Sequence, residues 1–210
     1  MSSSKKEIDQ ALLDVRKAYR LLHDYQKAAL DAAKYVGAQM GFTYCGGYPL
    51  FSNCAPKAGK GSLESWAWDW LNLVFYDFHF TKKIGEKELL NLCIRLFSDT
   101  GYFISDDAAP VETEVATFAA VERAGTKVGF LLYREWKPEF EQLVKDRGTV
   151  RRFIEKDGEL PNELKEAGLV VKFCDFSRLA DEESTDKLID EVVQMAQSNG
   201  LPLQRTKKSV

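Results

Sequence analysis

Glu135-Trp136-Lys137 sets an acid and a base two residues apart at the end of an apolar stretch, and Asp106 and Asp107 precede it in the chain. Carboxylates of this kind hold Mg²⁺, and a lysine beside them positions a water or balances charge that develops on a phosphate. Asp106, Asp107, Glu135 and Lys137 therefore form one candidate catalytic set. A second would be nucleophilic, since thiol chemistry needs a cysteine, a base and an orienting group close in space. Cys45 or Cys54 with His79 is the combination on offer. Histidines number two, His23 and His79, and Cys45, Cys54, Cys93 and Cys174 are scattered without a CxxC pair. On that basis the sequence predicts no metal centre and no cofactor.

The acidic pattern with Glu135-x-Lys137 resembles the D…(D/E)xK signature of restriction-type nucleases, which implies a metal-dependent hydrolase or nuclease. Gly59-Lys60-Gly61-Ser62 does not make a phosphate loop: Cys54 stands where the first glycine belongs, and Gly61 follows the lysine. It reads as a flexible basic loop. Lys145, Arg147, Arg151 and Arg152 are interrupted by Asp146, Glu155 and Asp157, the mark of a solvated face.

The elements that must position these groups centre on Ser65–Thr81. Read with a period of two, Trp66, Trp68, Trp70, Asn72, Val74, Tyr76, Phe78 and Phe80 share one face, and Phe75, Asp77 and His79 lie on the other. Aromatic and β-branched residues suit a pleated surface, so a central strand is expected. Trp66, Trp68 and Trp70 lie beside the preceding segment, residues 41–64, a glycine- and proline-rich loop that also carries Tyr44 and Tyr48. Those five aromatic residues are the candidate ligand-binding surface, because stacked rings offer area without a polar code; core packing is the competing role for the tryptophans.

Residues 1–40 predict one long helix. Ile8, Leu12, Val15, Tyr19, Leu22, Gln26, Ala29, Ala33, Val36 and Met40 alternate in steps of four and three, a heptad seam. Its rod of roughly 50 Å, at 1.5 Å per residue, exceeds what a domain of this length needs. Part of it is expected to project or to meet a second copy, with Ile8, Leu12, Val15, Tyr19 and Leu22 as the interface; the alternative is a helix lying wholly across a sheet.

After the aromatic strand, a turn at 82–87 leads to Leu89–Phe97. Alternation makes this segment a strand, although Leu89, Leu90, Cys93, Leu96 and Phe97 also share a helical face. Ser98–Gly101 reads as a hairpin turn into a strand at 102–105, and Ala124-Gly125-Thr126 as the turn of a second hairpin between 111–123 and 127–136. Short helices are expected at 139–147 and 161–167, strands at 150–154 and 169–176, and a helix capped by Ser184 or Thr185 that runs to Ser198. Residues 201–210 read as a frayed tail. The fold expected is α+β, a mixed and largely antiparallel sheet packed by helices, with 65–200 forming the core that the N-terminal helix joins.

Of 210 residues 45% are hydrophobic and the net charge is −3, so a core can form and no general basic field attracts nucleic acid. No stretch approaches the ~20 apolar residues of a membrane span. The expectation is a cytoplasmic, non-catalytic binding or regulatory protein that contacts a protein partner or itself, with no membrane and no nucleic acid. The metal-dependent hydrolase is its alternative.

Overall fold

Residues 5–39 contain no proline, and one helix, α1 (Lys5–Gln39), spans them. It stops at Gly41, whose φ of +72° turns the chain left-handed. The N–H of Phe42 then reaches back to the Gly37 carbonyl at 2.9 Å, closing the helix end. The structure is a computed structural model that describes residues 5–50, 75–108, 110–111, 114–138, 140, 146–155 and 168–206.

Five strands follow: β1 (Thr43–Pro49), β2 (Phe75–Lys83), β3 (Leu89–Phe97), β4 (Lys127–Tyr133) and β5 (Val170–Asp175). They lie side by side in chain order, and every pairing is antiparallel. The fold is α+β, as the sequence predicts. Period two sorts the side chains into two cores. Phe78, Phe80, Leu90, Leu92, Ile94, Leu96, Val128, Phe130, Leu132 and Val170 pack beneath α1 and the last helix, α4 (Glu182–Ser198). Phe75, Cys93, Phe97, Leu131, Val171 and Phe173 face the opposite way, toward α2 (Gly101–Ile104), α3 (Arg147–Glu155) and Phe140. Gly37 permits the close seat of α1 on the sheet, since a Cβ there would fall 2.6 Å from the Phe80 ring.

Leu89–Phe97 is a strand: its alternation meets two covered faces, so all of its side chains but Leu89 and Asn91 are buried. Several sequence expectations are corrected. The segment 41–64 is not all loop, because Thr43–Pro49 pairs with β2 through a bulge between Tyr44 and Gly46. Its glycines hid the strand: a Cβ at Gly47 would lie 2.5 Å from the Asp77 carbonyl. Residues 102–104 are helical rather than extended, with the Thr100 carbonyl accepting from the N–H groups of Phe103 and Ile104. The hairpin expected around Ala124-Gly125-Thr126 does not form. The Thr100 N–H bonds to the Gly125 carbonyl and the Thr126 hydroxyl to the Ser98 carbonyl, so this turn folds against the end of β3, which pairs with β4 itself.

Residues 150–154 are helix and not strand. Val150, Phe153 and Ile154 follow helical spacing into the second core, and the Asp146 carboxylate caps the start by accepting the Thr149 N–H at 2.6 Å. In α4 the cap is Asp181, three residues before the expected Ser184, whose N–H it accepts at 2.8 Å. The tail is not frayed from 201 onward: Leu201 and Leu203 are buried, and the Thr206 N–H bonds to the Gln39 carbonyl at 2.7 Å. Arg205 pairs with Asp186 and Asp190, and Tyr35 of α1 donates to Asp186 at 2.7 Å. Most of the expected helix at 139–147 and all of that at 161–167 lie outside the described residues.

Candidate functional site

The heptad seam of α1 divides in two. Ala29, Ala33, Val36 and Met40 are buried against the sheet. Ile8, Leu12, Val15, Tyr19 and Leu22, in the same register, are between 39% and 71% exposed, and every residue from Lys6 to Asp24 is exposed. Leu13, Leu21 and Leu30 widen the exposed apolar surface. Along this length the helix is supported by local pairs such as Lys17 to Asp14 at 2.9 Å and Gln10 to Asp14 at 3.1 Å. Such pairs add only about 0.2–0.5 kcal/mol each.

A polar island interrupts the second face of the sheet. Arg95 of β3 stands opposite Asp77 of β2 and donates from Nε and Nη2 to the two carboxylate oxygens, both at 2.8 Å. One register step away His79 stands opposite Cys93. The Tyr48 ring of β1 stacks on His79 at 5.0 Å, and Cys45, at the bulge, donates its thiol to the His79 carbonyl at 3.3 Å. Burial lowers the His79 pKa, against the pull of the Asp77 carboxylate, and raises the thiol of Cys93 well above its ordinary range. Burial likewise raises Tyr133, in whose field lie Cys93, Tyr48 and Asp77. A protonated, enclosed Cys93 is not an activated nucleophile. The thiol set expected from the sequence is thus altered: Cys45 donates to the backbone carbonyls of His79 and Thr43, and Cys54 lies outside the described residues.

Residues 5–204 match the family described as PM0109. The chain belongs to the PM0109 family. No curated protein and no solved structure matches it. What this PM0109 protein can do is therefore decided by its own geometry.

The structure does not bring the four hydrolase candidates together. Asp106 accepts from Arg123 at 2.6 Å, and the Asp107 carbonyl accepts from Arg147 at 3.4 Å, beyond the end of β4 marked by Lys127. Glu135 and Lys137 leave the other end of β4 and line a polar cleft of about 620 Å³ with Lys87, Asn91 and Asn199. The strand between them spans roughly 20 Å at ~3.4 Å per residue. Among the described residues, the three groups whose ligand atoms lie within 4.8 Å of one another are instead Asp77, His79 and Cys93. The sequence reading missed this set because two histidines and scattered cysteines without a CxxC pair offered no familiar ligand spacing, and Cys93 reaches His79 only through strand pairing. The signal was nevertheless there: Asp77-x-His79 and Cys93-x-Arg95 have matching parity in consecutive strands.

The aromatic candidates also separate. Trp66, Trp68 and Trp70 lie outside the described residues. Tyr44 and Tyr48 point to opposite faces of β1: Tyr44 meets Phe80 edge-on at 5.3 Å and lines an apolar cleft of about 480 Å³ with Leu30, Ala33 and Phe42, whereas Tyr48 joins His79. No helix among the described residues is long and apolar enough to cross a membrane.

Proposed function

We propose that the protein is a non-catalytic, cytoplasmic binding protein that pairs with a second copy of itself through the outer half of α1. The observation that carries this reading is the exposed seam: Ile8, Leu12, Val15, Tyr19 and Leu22 continue the heptad of a helix whose remaining seam is buried. A sustained 3.5-residue repeat suits a helical partner. Such a helix gains most of its stability from packing an apolar face, and this half finds little of that within the described chain.

Charge favours a second copy over an oppositely charged partner. Between residues 6 and 24, Lys6, Arg16, Lys17 and Arg20 are balanced by Glu7, Asp9, Asp14 and Asp24, so two such segments meet without net repulsion. Burying a Leu, Ile or Val completely is worth about 1.5–3 kcal/mol. For half-exposed seam residues on both copies the gross gain is on the order of 7–15 kcal/mol, which only matches the ~4–15 kcal/mol cost of association. A reversible dimer follows. Light scattering over a concentration series tests it: mass should rise toward the dimer at tens of micromolar, and Val15→Asp should abolish the rise. A wild-type chain that stays monomeric throughout would end this reading.

A further inference from the structure

We propose that Asp77, His79 and Cys93 form a binding site for one divalent transition-metal ion, best matched to Zn²⁺. The site is independent of the dimer. The three residues come from adjacent strands in fixed register: His79 lies directly across from Cys93, and Asp77 precedes it by two residues on the same face. Their ligand atoms all fall within 4.8 Å of one another. Tetrahedral zinc bonds of about 2.0–2.3 Å set neighbouring ligand atoms roughly 3.3–3.8 Å apart, so side-chain shifts of about 1 Å complete the site. One thiolate, one imidazole and one carboxylate form a borderline set that suits zinc better than calcium or magnesium, which favour oxygen ligands.

The surroundings supply what such a site requires. Arg95 donates to both Asp77 oxygens at 2.8 Å, which fixes the carboxylate while leaving each oxygen a further lone pair. The stack of Tyr48 on His79 holds the imidazole plane. His79 Nε2 is buried and has no hydrogen-bond partner among the described residues, so the ring has a nitrogen free to coordinate. A purely structural polar cluster would leave that nitrogen unsatisfied, which is costly. On coordination the Cys93 thiol gives its proton to solvent and bonds the metal as thiolate, and with three protein ligands the fourth position falls to water.

The test uses the full chain, stripped with chelator and titrated with Co²⁺. The expected result is saturation at one equivalent, with a thiolate-to-cobalt charge-transfer band that Zn²⁺ abolishes. Cys93→Ser should remove the band and His79→Gln should weaken binding roughly tenfold or more, while Cys45→Ser and Cys54→Ser leave both unchanged. Absence of saturable binding in the wild-type chain overturns the proposal without recourse to any variant. So does a band that survives Cys93→Ser, or one lost with Cys45 or Cys54 instead, provided circular dichroism shows the variant folded.

Discussion

Arg95 grips Asp77 through two parallel hydrogen bonds of 2.8 Å, with both side chains only 2% exposed. Removing one partner strands the other charge in the sheet, at a cost of about 3–5 kcal/mol. Asp77→Asn and Arg95→Met should each lose that much in urea unfolding. The double change Asp77→Leu with Arg95→Met should recover a large part of it, because an apolar pair leaves no buried charge. Equal losses in all three proteins would show that the pair is worth more than its desolvation.

The two halves of the α1 seam should respond oppositely to charge. Below the dimerisation range, Val15→Asp should change stability by no more than about 0.5 kcal/mol, as exposed substitutions do. Val36→Asp, whose site is 1% exposed, should cost several kcal/mol by burying a carboxylate or an acid without a partner. Denaturant midpoints at submicromolar protein measure both.

Thiol accessibility should separate the cysteines. In a Cys54→Ser background at pH 8, Cys45, which is exposed, should react with an aromatic disulfide reagent while Cys93 and Cys174 stay protected until unfolding. Burial pushes the Cys174 thiol up to about 11, so its reactive thiolate is scarce in the folded state. Raised in the fold above its ordinary value near 9, this group favours the folded state below that value. Its contribution is lost as pH rises from about 9 toward 11. Cys174→Ala should flatten that part of the alkaline stability curve.

Asp146 makes the corresponding acid prediction. Its hydrogen bonds from Thr149 hold the carboxyl below the usual aspartate range. A depressed folded-state pKa means the cap stabilises above the ordinary aspartate pKa and fades as pH falls through the lower folded value. Asp146→Ala should cost about 1 kcal/mol at neutral pH. Asp146→Asn should keep most of the cap and lose its share of the acid dependence, read from urea midpoints between pH 2 and 6.

Local periodicity determined much of this protein. Heptad spacing without proline specified α1, Gly41 specified where it stops, and alternation specified β5 and the facing of Asp77 and His79 within β2, while Leu89–Phe97 also fitted a helical face and became β3 only through its two covered sheet faces. Elements whose local signals competed were decided by tertiary structure. Val150–Ile154 alternates acceptably as a strand, but Phe153 and Ile154 reach the second core together only from a helix. Gly46 and Gly47 carry no strand signal, yet Gly46 takes a φ of +144° at the bulge and a Cβ at Gly47 would lie 2.5 Å from the Asp77 carbonyl. Nothing in the tail announced that Leu203 would be buried between α1 and α4. Asp77, His79, Cys93 and Arg95 show the same division. Their types and parity stand in the sequence, but a ligand set requires atoms a few ångströms apart, and only the β2–β3 register, fixed by the packing of both sheet faces, closes that distance.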